Sequence, residues 1–353
     1  MSSRTPITLI TGFLGSGKTT LLRELLTDPA LGETAVLVNE LGEIALDHHL
    51  LSRIDERTVV LASGCVCCTI RADLADELRD LEVRRAKGEI SGYERVAIET
   101  TGLADPAPIL STLLTDPMLE ANFRIDGLVT TVDAVNGIAQ LRDQPEAAKQ
   151  AAVADRLLIT KTDLVDPEQL ADLRRRLARV NPGAQQIEVR HGQIAASEVI
   201  GVAAQDAAAA LREALHFSAA VAAHDETGHV HDASAHDHRI RAFALRFEQP
   251  LDWTMFGIWL SMLLAARGED VLRVKGLLNA EGSAGPVVIN GVQHVIHPPV
   301  HLPEWPDDDH SSRLVLIVRE IAADAVERSL LAFQALAGLS TATTEASIEA
   351  SNV

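Results

Sequence analysis

Aromatic residues are scarce in this chain of 353: seven Phe, three Trp and one Tyr make up only 3% of it. A core built on stacked rings is thereby excluded. Because apolar residues still reach 47%, packing must come from aliphatic side chains on helices and strands. Positive charge is also short, with 31 Lys and Arg against 50 Asp and Glu and a net charge of -19. That balance argues against nucleic-acid binding through phosphate neutralisation. It leaves room for a small anion held by backbone N–H groups. No stretch reaches the roughly 18 uncharged apolar residues of a membrane-crossing helix. The opening MSSRTPITLITG has neither a basic leader nor a small-residue cleavage pattern. The expectation is a cytoplasmic protein with no membrane or nucleic-acid partner. Cysteine is limited to three residues, all within positions 65–68. In a reducing compartment these do not form a disulfide framework, and metal or catalytic use gains weight.

What the chain does have is a repeated alternation. Short branched apolar runs at 7–11, 35–38, 58–61, 96–98, 128–132, 157–159 and 187–189 are interleaved with helix-like segments at 19–26, 71–86, 147–154 and 167–178. Near-continuous apolar runs suit parallel strands covered by helices on both faces, an α/β architecture. Polar residues follow most of these strands, among them Gly12, Asn39-Glu40, Glu99-Thr100, Asp133 and Thr160-Lys161. Ligands of a parallel sheet sit beyond the carboxyl ends of its strands, so these positions converge on one candidate site. Length and pattern predict residues 1–222 as this nucleotide-binding domain and 223–238 as a mobile linker. The linker holds His224, His229, His231, His236 and His238, a cluster able to capture a metal weakly. A small α+β domain over 239–337 and a disordered tail over 338–353 complete the expected organisation. In the second domain His294, His297 and His301 either line a pocket or face water, and the isolated His191 and His310 read as surface or hydrogen-bonded residues.

The segment TLITGFLGSGKTTLL carries Gly12, Gly15, Ser16, Gly17, Lys18, Thr19 and Thr20 in the G-x-x-x-x-G-K-[ST] pattern, after an apolar strand and before a helix. Glycines let successive N–H groups turn toward one phosphate, Lys18 adds charge, and the Thr19 hydroxyl is a Mg²⁺ donor. This predicts a nucleoside triphosphate with Mg²⁺. Glu99 ends a strand in VAIETTG, where a carboxylate can hold the Mg²⁺ shell or position the attacking water, and Gly102 can offer an N–H to the γ-phosphate. In TKTD, Asp163 can accept from both N1–H and N2–H of guanine, and the Lys161 stem can cover the base, so GTP is favoured over ATP. The usual guanine motif has Asn where this chain has Thr160. A helper contact around the base is therefore expected to be weaker or to come from elsewhere.

Cys65, Cys67 and Cys68 lie between a strand and a helix, where thiols ionise readily. Three thiolates, or two with a carboxylate, suit Zn²⁺ and Co²⁺ alike. Glu40, Glu43 and His48 or His49, after the neighbouring strand, are candidates for the remaining ligand. A redox pair and inert buried packing are the alternatives.

Taken together, GFLGSGKTT, NELGE, GCVCC, ETTG, TKTD, the His-rich stretch, VLRVKGLL and HLPEW resemble the CobW-like P-loop GTPases, relatives of the HypB and UreG metallochaperones. The likeness covers most of the chain. Leu41 departs mildly from the usual Phe of the switch-like segment. The resemblance implies slow GTP hydrolysis with Glu99 as the Mg²⁺-associated carboxylate. It also implies Zn²⁺ or Co²⁺ at the thiols and delivery of the metal to a client metalloprotein or metal-insertion enzyme. The second domain is then expected to supply contacts to the client or, in a homo-oligomer, to itself. An NTP-dependent enzyme of cobalamin biosynthesis and a metal-buffering protein are the alternatives.

Overall fold

Each apolar run of the N-terminal part is a strand. The computed structural model describes residues 4–38, 58–62, 70–90, 92–201, 240–305 and 308–349, and these fall into two units, 4–201 and 240–349. The first unit contains β1 (Thr5–Gly12), β2 (Thr34–Val38), β3 (Thr58–Ala62), β4 (Arg95–Glu99), β5 (Phe123–Asp133), β6 (Arg156–Thr160) and β7 (Gln185–Val189). They form one seven-stranded sheet in the order β3-β2-β4-β1-β5-β6-β7. Every pairing in it is parallel. β5, β6 and β7 follow outward on one side of β1, while on the other β4 inserts between β1 and β2, so the carboxyl ends of β1, β4 and β5 flank the point where strand order reverses.

Helices cover both faces because the strands are apolar on both. The helices are α1 (Lys18–Leu25), α2 (Ile70–Ala86), α3 (Ala107–Thr115), α4 (Pro117–Asn122), α5 (Gly137–Asp143), α6 (Pro145–Val153) and α7 (Pro167–Val180). One core joins Ile10, Val36, Val129 and Leu158 of the sheet to Leu21, Leu22 and Leu25 of α1. A second joins Val132, Leu157 and Ile159 to Leu141 of α5, Ala151 of α6 and Leu173 and Leu177 of α7. Asp116 caps α4 by accepting from the N–H of Met118 and Leu119, and Asp166 caps α7 by accepting from Gln169 N–H. Each cap is followed by a proline at the first helical position, whose missing N–H costs nothing there.

Strand β5 extends well before the apolar run at 128–132 that marks it in the sequence. It pairs with all of β1, from Thr5 opposite Phe123 to Gly12 opposite Thr131, with a register shift that leaves Asp126 unmatched. Its first half was hidden by a buried charge. Asp126 is fully buried and accepts from Arg124 Nη1 at 3.1 Å and from the backbone N–H of Gly201 at 2.6 Å.

The second unit is an antiparallel sheet with its two described helices packed against one face. Its elements are β8 (Ile240–Phe247), α8 (Trp253–Arg267), β9 (Val271–Leu278), β10 (Val287–Val292), β11 (Val295–Ile296), β12 (Val300–His301), β13 (Ser312–Arg319) and α9 (Ala323–Glu349). The strand order is β11-β10-β9-β13-β8, with β12 paired to β10. Phe243, Leu245, Leu314, Leu316 and Val274 of the sheet pack against Phe256, Trp259 and Leu260 of α8 and Leu330 of α9. Trp259 is buried and donates its indole N–H to Ser329 Oγ at 2.9 Å. The closing helix runs to Glu349, past residue 338, so the stretch 338–349 expected as a disordered tail is helical. No proline follows Pro306 to end the helix. No described helix is long and apolar enough to cross a membrane. The His-rich stretch 223–238 lies outside the described residues.

Candidate functional site

The loop between β1 and α1 is shaped by close approach. Gly12 has φ +143°, and a Cβ there would lie 2.3 Å from Thr131 Oγ1 and 2.5 Å from the Thr131 carbonyl oxygen. Only glycine fits, so β1 can end against β5 and turn at once. Ser16 N–H donates to Phe13 O at 3.1 Å, and the Ser16 and Thr131 hydroxyls lie 2.6 Å apart. Lys18 is buried and folds its Nζ back over the loop, donating to Gly12 O at 3.0 Å and to Phe13 O at 3.4 Å. Gly15 and Gly17 both adopt positive φ, as the motif requires, and Thr20 is exposed on α1.

Pairing of β1 with β4 sets Ile10 opposite Glu99. The Thr19 hydroxyl therefore reaches the buried Glu99 carboxylate and donates to Oε1 at 2.7 Å. The next residues stay against β1: Thr100 N–H donates to Ile10 O at 3.0 Å. Gly102 is pressed on the phosphate loop, since a Cβ there would meet Leu14 N at 2.7 Å and Leu14 Cα at 2.8 Å.

At the other side of β1, β6 brings TKTD to the same edge. Thr160 Oγ1 donates to Ser16 O at 2.7 Å, so a hydroxyl supplies the tie to the phosphate loop at the position where Asn is usual. Lys161 has φ +57° and a bifurcated ammonium, which donates to Gly15 O at 2.8 Å and to Asp133 Oδ2 at 2.8 Å. Asp133, buried at the end of β5, also accepts from Asn136 Nδ2 and Val135 N–H. Burial alone would raise its pKa. Hydrogen bonds from Lys161, Asn136 and Val135, with the Lys161 charge, outweigh that and hold it below the usual carboxylate value. Asp163 follows in a 3₁₀ turn over Thr162–Leu164, with His191 Nε2 at 3.8 Å from its Oδ2. The His191 turn sits on α1, because Gly192 approaches the Thr20 carbonyl.

The structure thus gathers Gly12, Gly15, Ser16, Gly17, Lys18, Thr19, Glu99, Gly102, Lys161 and Asp163 along one sheet edge. Glu40, Glu43, Cys65, Cys67 and Cys68, with His48 and His49, lie outside the described residues. The strands that lead to them are described. Val38, the last residue of β2, pairs with Ala62 of β3 on one side and with Glu99 on the other. The 39–43 segment therefore departs from a strand end beside Glu99, and the 64–68 segment follows the edge strand β3, one strand further out. Among the described residues no group of three or more His, Cys, Asp or Glu is arranged to hold a metal. His294 and His301 are exposed, His294 within 3.2 Å of Leu264 O and His301 edge-on to Trp253, while His310 stacks on Trp305.

Sequence reasoning placed Asp133 at the edge without a role, and it missed the contribution of α6. There Lys149 Nζ pairs with Asp105 Oδ2 at 2.6 Å, and Gln150 Nε2 donates to Gly102 O at 3.2 Å and Ala104 O at 3.0 Å. Both residues sit in an alanine-rich helix and carry no motif.

Comparison with known proteins finds relatives that span both units. The profile of the CobW/HypB/UreG nucleotide-binding domain matches residues 6–188, and that of the cobalamin synthesis protein cobW C-terminal domain matches 240–334. The chain is 32% identical over 314 residues to zinc chaperone YjiA of Escherichia coli K12, covering 88% of this chain and 93% of that one. It is 29% identical over 319 residues to zinc-regulated GTPase metalloprotein activator 1 of Schizosaccharomyces pombe, covering 82% of this chain and 75% of that one. The crystal structure of Zn(II)-bound YjiA GTPase from E. coli superposes with a TM-score of 0.71 at 25% identity, covering 94% of this chain and 99% of that one. The chain belongs to the CobW/HypB/UreG-like family of P-loop GTPase metallochaperones.

Proposed function

We propose that this protein hydrolyses GTP slowly and uses the nucleotide state to hold and release Zn²⁺ or Co²⁺ for delivery to a client metalloprotein or metal-insertion enzyme. The observation that carries the reading is the Thr19–Glu99 contact of 2.7 Å beside the end of β2, from which the NELGE segment departs, with β3, the strand that leads to GCVCC, paired to the other side of β2. Backbone N–H groups of Gly15 to Lys18 and the Lys18 ammonium receive the phosphates. The Thr19 hydroxyl and Glu99 carboxylate are two hard oxygen donors on adjacent elements, a pair that fits Mg²⁺. Bound there, Mg²⁺ would neutralise charge developing on the phosphates. Glu99 holds the hydration shell or the attacking water in place, and Gly102 offers its N–H toward the γ-phosphate.

Asp163 reads guanine through its two ring-edge donors, with the Lys161 stem laid over the base. The metal is the cargo. Cys65, Cys67 and Cys68, with Glu43 or Glu40, are its proposed ligands, soft thiolates with a hard oxygen. Relatives that are named zinc chaperones support this reading. Because NELGE leaves β2 next to Glu99 and GCVCC follows the neighbouring strand β3, a γ-phosphate that orders the first segment should order the thiols with it. Nucleotide and metal then tighten one another reciprocally.

The test is competitive titration of Zn²⁺ and Co²⁺ into the purified protein with Mg²⁺ and either GTP or GDP, repeated on Cys67→Ser. Tighter metal binding with GTP than with GDP, and loss of the difference in Cys67→Ser, are the expected results. Equal metal affinity in the two nucleotide states would reject the coupling. The base assignment is checked by Asp163→Asn, which should transfer preference from GTP to xanthosine triphosphate.

A further inference from the structure

The loop carrying Gly102 is held from a direction that the nucleotide motifs do not account for. It runs from Thr100 at the end of β4 to Pro106 before α3, and one side lies on Leu14 of the phosphate loop. The other side is clamped by two consecutive residues of α6. Gln150 is buried, 1% exposed, and its amide faces two backbone carbonyls, Gly102 O at 3.2 Å and Ala104 O at 3.0 Å. Only the NH₂ end of a glutamine can serve two carbonyls, which fixes the orientation of the amide. Gln150 is itself anchored to the sheet, its backbone carbonyl accepting from Thr130 Oγ1 at 2.9 Å. Lys149, the preceding residue, closes an ion pair with Asp105 at 2.6 Å. Asp105 in turn accepts from Ala107 N–H at 3.0 Å, at the start of α3.

We propose that Gln150, assisted by Lys149, is the positioning residue for the γ-phosphate loop: it fixes the Gly102 and Ala104 peptides so that the Gly102 N–H meets a triphosphate. This rests on the GTPase reading above. A diphosphate lacks the γ-phosphate that the loop addresses, so the clamp acts on the ratio of GTP to GDP affinity and on turnover. It has little effect on GDP binding itself. A merely structural glutamine would instead weaken both nucleotides together or neither.

The full-length protein carrying Gln150→Leu, which keeps bulk and removes the donor, is titrated with GTPγS and with GDP in the presence of Mg²⁺, and its GTP turnover is measured. The triphosphate analogue should bind about tenfold more weakly, with a comparable fall in kcat, as for loss of one well-placed hydrogen bond. GDP affinity should stay within about twofold of the unmodified protein. Equal weakening of both nucleotides, or of neither, overturns the proposal. If Gln150→Leu binds no GDP and fails to fold, the partly exposed Lys149→Ala decides: a smaller shift in the same ratio supports the clamp, and an unchanged ratio rejects it. An unmodified protein that does not bind GTP would overturn the GTPase reading, whereas an unchanged ratio in a folded variant overturns this inference alone.

Discussion

At the scale of single residues, Asp133 shows how a buried charge can hold a ligand loop in place. Its carboxylate draws Lys161 across to the phosphate loop, where the same ammonium reaches Gly15 O. Its pKa is depressed in the folded protein because the hydrogen bonds and the Lys161 charge outweigh burial. An unfolded Asp titrates near 3.9, about the model-peptide value. A depressed folded value means that the stabilisation is fully present above that pH and is lost as pH falls through the lower folded value. The urea midpoint of the wild-type protein should therefore drop faster than that of Asp133→Asn as pH is lowered below about 4. Parallel acid profiles for the two proteins would disprove the assignment. The sequence marks Asp133 only as a polar residue after a strand, since its partner is 28 positions away.

Among the elements, the strands and the long amphipathic helices were legible because their signals are local. The run at 96–98, Val-Ala-Ile, needs no partner to be read as apolar and largely β-branched. Helices α3 and α4 were not legible, and proline is the reason. Pro106, Pro108 and Pro117 read as loop punctuation, yet they occupy helix starts where an N–H is not needed. Capping residues are the elements' most testable feature. Asp252 caps α8 by accepting from Met255 N–H at 2.7 Å, while its own N–H donates to Gln334 Oε1 of α9 at 2.7 Å. Asp252→Ala should cost about 1 kcal/mol, measured by denaturant unfolding. Trp259→Ala, which empties the core between α8 and α9, should cost about 3–5 kcal/mol. A larger loss for the cap than for the tryptophan would mean that core packing is not what holds the second unit together.

For the whole molecule, the two units carry separate cores and separate optical reporters. All three tryptophans, Trp253, Trp259 and Trp305, belong to the second unit, and the single tyrosine, Tyr93, belongs to the first. The proposed nucleotide site lies wholly in the first unit. At a hundred times its Kd, GTP should stabilise that unit by about 2.7 kcal/mol through mass action. Far-UV circular dichroism, which sees both units, should then show a rise in Tm that tryptophan fluorescence does not follow. An equal shift in both signals would show that the units unfold as one.

The alternating apolar runs, the phosphate loop and the clustered thiols were set by sequence alone, because each depends on residues only a few positions apart and on backbone preferences that act locally. Strand order, the Thr160 tie to Ser16, the Lys161 bridge from Asp133 to Gly15 and the Gln150 clamp on Gly102 were decided by tertiary structure. The last two join residues separated by as many as 146 and 48 positions. Such contacts exist only once a parallel sheet has brought β1, β4, β5 and β6 to a common edge, and no short-range pattern encodes which polar group will meet which carbonyl there.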